Sequence, residues 1–251
     1  MALLGLEIEY SIFLLVFFST LSGYNFYWLI CKWHFADAKT LRTFLLSERP
    51  TLLIIVLSML FICYGIFLVP AAFFWVILAS SLTLLYSLPL WTIKKPAFIK
   101  KAGFLKTTLL AFTWSMVTVI FPLLPQLIFV STQVKWLFAI RFLFMLLLCI
   151  IFDTRDAKID KMNSLHSIAT DVSPAKIRLL IYSIFILYVG AVFFWALGGG
   201  NERQAIVLML TGLLTFVVYI LSIKKRGYYF YYFLVDGMML LTAIATYVAT
   251  I

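Results

Sequence analysis

The sequence predicts an all-α polytopic membrane protein with about eight transmembrane helices, forming a single domain over residues 1–251. Three observations carry this. Hydrophobic residues make up 65% of the chain and charged residues only 12%, against roughly 25% charged in an average soluble domain. Apolar runs recur at about the 20-residue length that a helix needs to cross a bilayer. Most of the basic residues lie in alternate connections between those runs.

The elements follow in order. The first run, 9–31, has Glu7 and Glu9 at its start and no Lys or Arg before Lys32. A cleavable signal peptide begins with basic residues, so this run is expected to be a permanent span. Spans at 51–69 and 72–91 flank Pro70 as a tight helical hairpin. The span 105–125 ends at Pro122 and Pro125, which have no N–H to continue a helix. A fifth span covers 134–152. The sixth and seventh, 177–197 and 204–223, are joined by the glycine-rich turn "GGGNE" at 198–202. The eighth, 228–250, opens on "YYFYYF" just after Lys224, Lys225 and Arg226, a placement that suits an interfacial aromatic belt.

Seventeen of the 20 Lys and Arg residues lie in four alternate connections: 32–50, 92–106, 153–178 and 224–226. The asymmetry places those connections in the cytoplasm and both termini outside, in an inner or plasma membrane. The formal charge of +10 is then an orientation signal with some attraction to anionic membrane lipids, and no nucleic acid is expected as a partner. Cys31, Cys63 and Cys149 lack metal-ligand spacing and read as small hydrophobes.

One polar stretch stands out. "FDTRDAKIDK", 152–161, carries Asp153, Asp156 and Asp160 directly after an apolar run. The i, i+3, i+7 spacing puts three carboxylates on one helix face. Hard divalent ions such as Mg²⁺ take oxygen ligands and bridge to phosphates, so the trio is a candidate Mg²⁺ site for a phosphorylated ligand. The alternative is a solvated segment in which Arg155 and Lys158 pair locally with the acids.

"YSLP" at 86–89, "KK" at 94–95, a span with Trp114 and two prolines, "FDTRDAKIDK" and "VDG" at 235–237 together resemble the UbiA family of intramembrane prenyltransferases. The family's second aspartate-rich motif, DxxDxxxD, is matched by Asp153, Asp156 and Asp160. The resemblance implies a UbiA-like helical bundle around a cytoplasm-facing cavity. It also implies Mg²⁺-dependent transfer of a prenyl group from a polyprenyl diphosphate to an aromatic or lipid acceptor. In that setting Lys94, Lys95 and Arg155 would contact the diphosphate. The chain departs from the family at the first motif, NDxxDxxxD. Asn25 stands at the Asn, but Phe26, Leu29 and Trp33 occupy the aspartate positions, and Asp37 is the nearest acid. Eight spans also stand against the family's nine, with the start of this chain corresponding to the family's second span. Losing several electrostatic contributors at once could end the chemistry, since one alone often costs ~10²–10³ in rate. A catalytically inactive relative that binds an isoprenoid lipid or scaffolds a partner enzyme is therefore the alternative. A lipid transporter is the third reading.

Two charges fall within spans, Arg141 and Asp236, and an intramembrane charge marks function or a buried partner. The two are candidate partners for each other and, with Asn25, candidate polar groups in the cavity. His34 and His166 read as loop histidines.

Overall fold

The computed structural model describes residues 9–35, 40–87, 96–125, 131–162, 166–224 and 226–250, and every element among them is helical. Helices are forced by the solvent: hydrocarbon offers backbone N–H and C=O groups no partner, so each span must satisfy its own. Among the described residues, seven helices are long and apolar enough to cross a membrane. The third predicted span is the shorter one. Where 72–91 was expected, the described helix is Ala72–Ser87, and residues 88–95 lie outside the described ones.

The helices fall into two compact units. In the first, α1 (Tyr10–Phe35) packs on α3 (Arg49–Leu68) and α4 (Ala72–Ser87), with the short α2 (Leu41–Ser47) against α3. Stacked Phe18 and Phe61 rings, 4.2 Å apart, help join α1 to α3. Val69 N–H closes α3 onto Gly65 O, and Ala72 N–H bonds Val69 O, so the Pro70 turn is as tight as expected. Lys32 at the end of α1 holds both oxygens of Glu48 at 2.9 Å. Leu53, Leu60, Phe67, Phe73 and Phe74 face outward, an arrangement that only lipid or another apolar partner tolerates. Cys63 is also exposed on α3, whereas Cys149 is buried as a small hydrophobe should be.

The second unit holds α5 (Pro96–Ser115), α6 (Thr132–Met162), α7 (Ile168–Asp171), α8 (Pro174–Leu197), α9 (Glu202–Ser222) and α10 (Asp236–Val248). Its core is built from α6 residues such as Phe144, Leu147 and Ile150 packed with Ile181, Tyr188 and Trp195 of α8. Two stretches leave the α-helical repeat. Met116–Ile120 is a π-helical turn directly before Pro122, whose ring clashes with the carbonyl four residues back and loosens the ladder there. Phe230–Val235 is a second π-helical turn leading into α10. The Asn201 side chain caps α9 by accepting from the Arg203 and Gln204 amides.

The longest helix departs most from expectation. α6 runs 31 residues, about 46 Å at 1.5 Å per residue, where a span needs about 30 Å. The predicted span stopped at 152. The helix continues through Asp153, Asp156 and Asp160, so the acidic motif is helical throughout.

Candidate functional site

The polar residues of the second unit gather where α5, the C-terminal end of α6, α7 and the Phe230–Val235 turn come together. The three motif aspartates sit on α6, and each meets a different neighbour. Thr107 Oγ1, buried on α5, donates to Asp153 Oδ2 at 2.5 Å. The same hydroxyl stands 3.0 Å from Gly103 O, and its one proton serves only one acceptor at a time. Arg155 grips Asp156 with two charge-assisted bonds, Nε to Oδ1 at 2.7 Å and Nη2 to Oδ2 at 2.6 Å. Lys106, one residue before Thr107, lies within electrostatic reach of both Asp153 and Asp160.

Arg155 is held on its flat faces as well. Its guanidinium carbon lies 4.9 Å from the Phe152 ring centroid, 5.4 Å from Tyr231 and 4.9 Å from Tyr232. The π-helical turn presents the consecutive residues Tyr231 and Tyr232 to one cation, which suits cation–π contact. Arg155 Nη1 is buried without a hydrogen-bond partner.

A second latch ties α5 to α7. Asp171 Oδ2 accepts from Gly103 N–H at 3.1 Å. Asp171 Oδ1 accepts from His166 Nδ1 at 2.8 Å and from Thr170 Oγ1 at 3.1 Å. His166 is therefore an oriented member of a His–Asp pair and not a free loop histidine.

This geometry sorts the expected site residues. The donor chemistry at Asp153, Asp156 and Asp160 suits Mg²⁺, but their arrangement does not. Two of the three are already engaged by protein donors, and among the described residues no three acidic, His or Cys side chains gather so as to hold a metal ion. Arg155 is committed to Asp156 and the rings. Lys94 and Lys95 lie outside the described residues. Asn25 spends its amide on its own helix, with Nδ2 donating to Leu21 O at 2.8 Å in the first unit. The expected Arg141–Asp236 pair is not formed: among the described residues neither side chain has an ion pair, and the cation that acts on Asp236 is Arg155. Helix register explains the correction. The acid of the last helix stands beside the far end of α6, about 20 Å along the axis from Arg141.

Thr107 and Asp171 escaped sequence reading. Their partners lie 46 and 68 residues away, and an isolated threonine or aspartate carries no pattern. The "YYFYYF" run did signal an unusual aromatic cluster, but its contact with Arg155 depends on the π-helical turn. No known protein family, curated protein or solved structure matches this chain.

Proposed function

We propose that this chain is a UbiA-like integral membrane protein that binds an uncharged isoprenoid lipid, such as a polyprenol or a prenylated quinone, and does not transfer a prenyl group. One observation carries the reading: Asp153 and Asp156, the motif acids a metal would need, are bonded to Thr107 and Arg155. Among the described residues, the cations acting on Asp153, Asp160 and Asp236 are Lys106 and Arg155, Arg155 also pairs with Asp156, and His166 pairs with Asp171. Without a bridging metal, that excess of carboxylates repels a diphosphate. The absence of acids at Phe26, Leu29 and Trp33 agrees with it. The resemblance supplies the isoprenoid, and the apolar bundle suits its hydrocarbon chain. On this reading the α6 end lies on the cytoplasmic side, as the Lys and Arg distribution indicates.

The second reading is Mg²⁺-dependent prenyl transfer, favoured by the unbroken Asp153, Asp156, Asp160 spacing. One experiment separates the two. Full-length protein in lipid nanodiscs is given labelled polyprenol or polyprenyl diphosphate, with and without Mg²⁺. Retention of polyprenol independent of Mg²⁺, with no diphosphate released, is the expected result. Mg²⁺-dependent diphosphate release that disappears in Asp153→Asn would replace the proposal with the catalytic reading.

A further inference from the structure

Arg141 poses a problem that the described residues do not solve. It lies about 14 Å along α6 from Thr132, inside the apolar stretch that crosses the membrane. A guanidinium there is costly unless something neutralises it. Among the described residues it has no hydrogen bond and no ion pair.

Its position on the helix faces inward. Leu137, Phe144, Met145 and Leu148, on the same side one and two turns away, are at most 5% exposed. Arg141 and Phe138, one turn before it, keep intermediate accessibility. Arg141 thus sits at the edge of a buried face and keeps some accessible surface.

The neighbouring phenol does not fill the role of counter-ion. Tyr188 of α8 is the charge neighbour of Arg141, and it is fixed in place. Its hydroxyl donates to Leu208 O at 2.7 Å, and its ring lies so close to Gly212 that a Cβ there would meet Cε1 at 2.2 Å. Tyr188 is therefore a rigid wall that offers dipole but no negative charge.

We infer that Arg141 is a binding site for the phosphate of an anionic membrane lipid, one whose headgroup carries no compensating cation, taken from the leaflet at the Thr132 end of α6. Depth and direction favour a lipid source. Helical side chains lean toward the N-terminus of their helix, here the nearer membrane face, and a long basic side chain covers part of the remaining distance to the headgroup level. The site is opposite in charge to the aspartate-rich end of α6 and about 18 Å from Asp153 along the axis. It does not rest on the isoprenoid proposal.

The test uses full-length protein in nanodiscs of phosphatidylcholine containing phosphatidylglycerol, with native mass spectrometry of the lipids retained on release. Wild type is expected to keep phosphatidylglycerol in preference to phosphatidylcholine. Arg141→Gln is expected to weaken that retention by about ten-fold or more, the loss of a charge-assisted contact, while Arg141→Lys stays within about three-fold. Gly190→Ala, whose added Cβ meets nothing within 4 Å, should leave retention unchanged. Inorganic phosphate tests the source: failure to displace the lipid supports a lipid site, and displacement at millimolar concentration overturns it in favour of a free oxyanion. Equal retention by wild type and Arg141→Gln overturns the inference outright. Should Arg141→Gln fail to fold, wild type and Arg141→Lys decide, since no preference for the anionic lipid in either is an equal refutation.

Discussion

Gly103→Ala probes the junction on which the polar end of the second unit depends. A Cβ at Gly103 would stand 2.3 Å from the carbonyl carbon of Ser167, 2.4 Å from its oxygen and 2.7 Å from Asp171 Oδ2. Carbon atoms in favourable contact sit about 3.5–4.0 Å apart, so α5 and the chain before α7 must separate by more than about 1 Å. Two of the three obstructing atoms are backbone and cannot rotate aside. Overpacking of this kind costs roughly 1–3 kcal/mol. The same separation stretches the 3.1 Å bond from Gly103 N–H to the Asp171 carboxylate, and a hydrogen bond to a charged group contributes about 1.5–3 kcal/mol. The expected loss is therefore about 3–5 kcal/mol, read by reversible SDS denaturation in mixed micelles. Gly190→Ala on α8 is the control: its Cβ meets nothing within 4 Å, so it should be neutral or gain up to about 1 kcal/mol of helix propensity. Equal stability of the two variants would refute the close approach of α5 to Ser167 and, with it, the latch built on Asp171.

Three further outcomes follow from the same geometry. Thr107→Val keeps the side chain's shape but removes the donor to Asp153; it should cost about 1.5–3 kcal/mol by the same denaturation assay, with Thr107→Ser retaining most of the stability. The Arg155–Asp156 pair keeps 22% and 36% side-chain exposure, which discounts it, so a double-mutant cycle with Arg155→Met and Asp156→Asn should give a coupling of about 1 kcal/mol; a coupling of zero would show the pair to be ornamental. Hydrogen bonds from Lys32 hold the Glu48 carboxyl below the usual glutamate range. A group lowered on folding stabilises the fold above its unfolded pKa, and that contribution disappears as pH falls through the lowered value. Carboxyl ¹³C NMR of Glu48 should record a titration midpoint that rises in Lys32→Gln; an unchanged midpoint contradicts the contact.

The spans were legible because hydropathy answers to the solvent. Apolar runs of bilayer length had to become helices; all eight did, and among the described residues seven are long enough to span. Hydropathy could not place the end of α6. It stops at the first charge, whereas a helix continues as long as its residues tolerate the conformation, and the stretch from Asp153 to Met162 does. The candidate site was half legible. The i, i+3, i+7 acids were visible as one helix face, but their engagement by Thr107 and Arg155 was not, because spacing fixes where a side chain can be and not what it meets. The Arg141–Asp236 expectation failed for a related reason: opposite charges in two spans invite pairing, yet relative height along the helices decides whether they can touch.

The Phe230–Val235 turn has one more consequence. A π-helical turn accommodates one residue beyond the ordinary repeat, so it sets the rotational phase of everything after it. Removing a single residue from this segment would restore regular winding and leave the phase of the C-terminal helix nearly as it is, with Met238, Thr242 and Thr246 still within the packing. The same deletion inside α10, just after Met238, would rotate everything beyond it by about 100° and swing Thr242 and Thr246 out. A change in residue number is therefore absorbed at this turn far more readily than in the regular helix that follows.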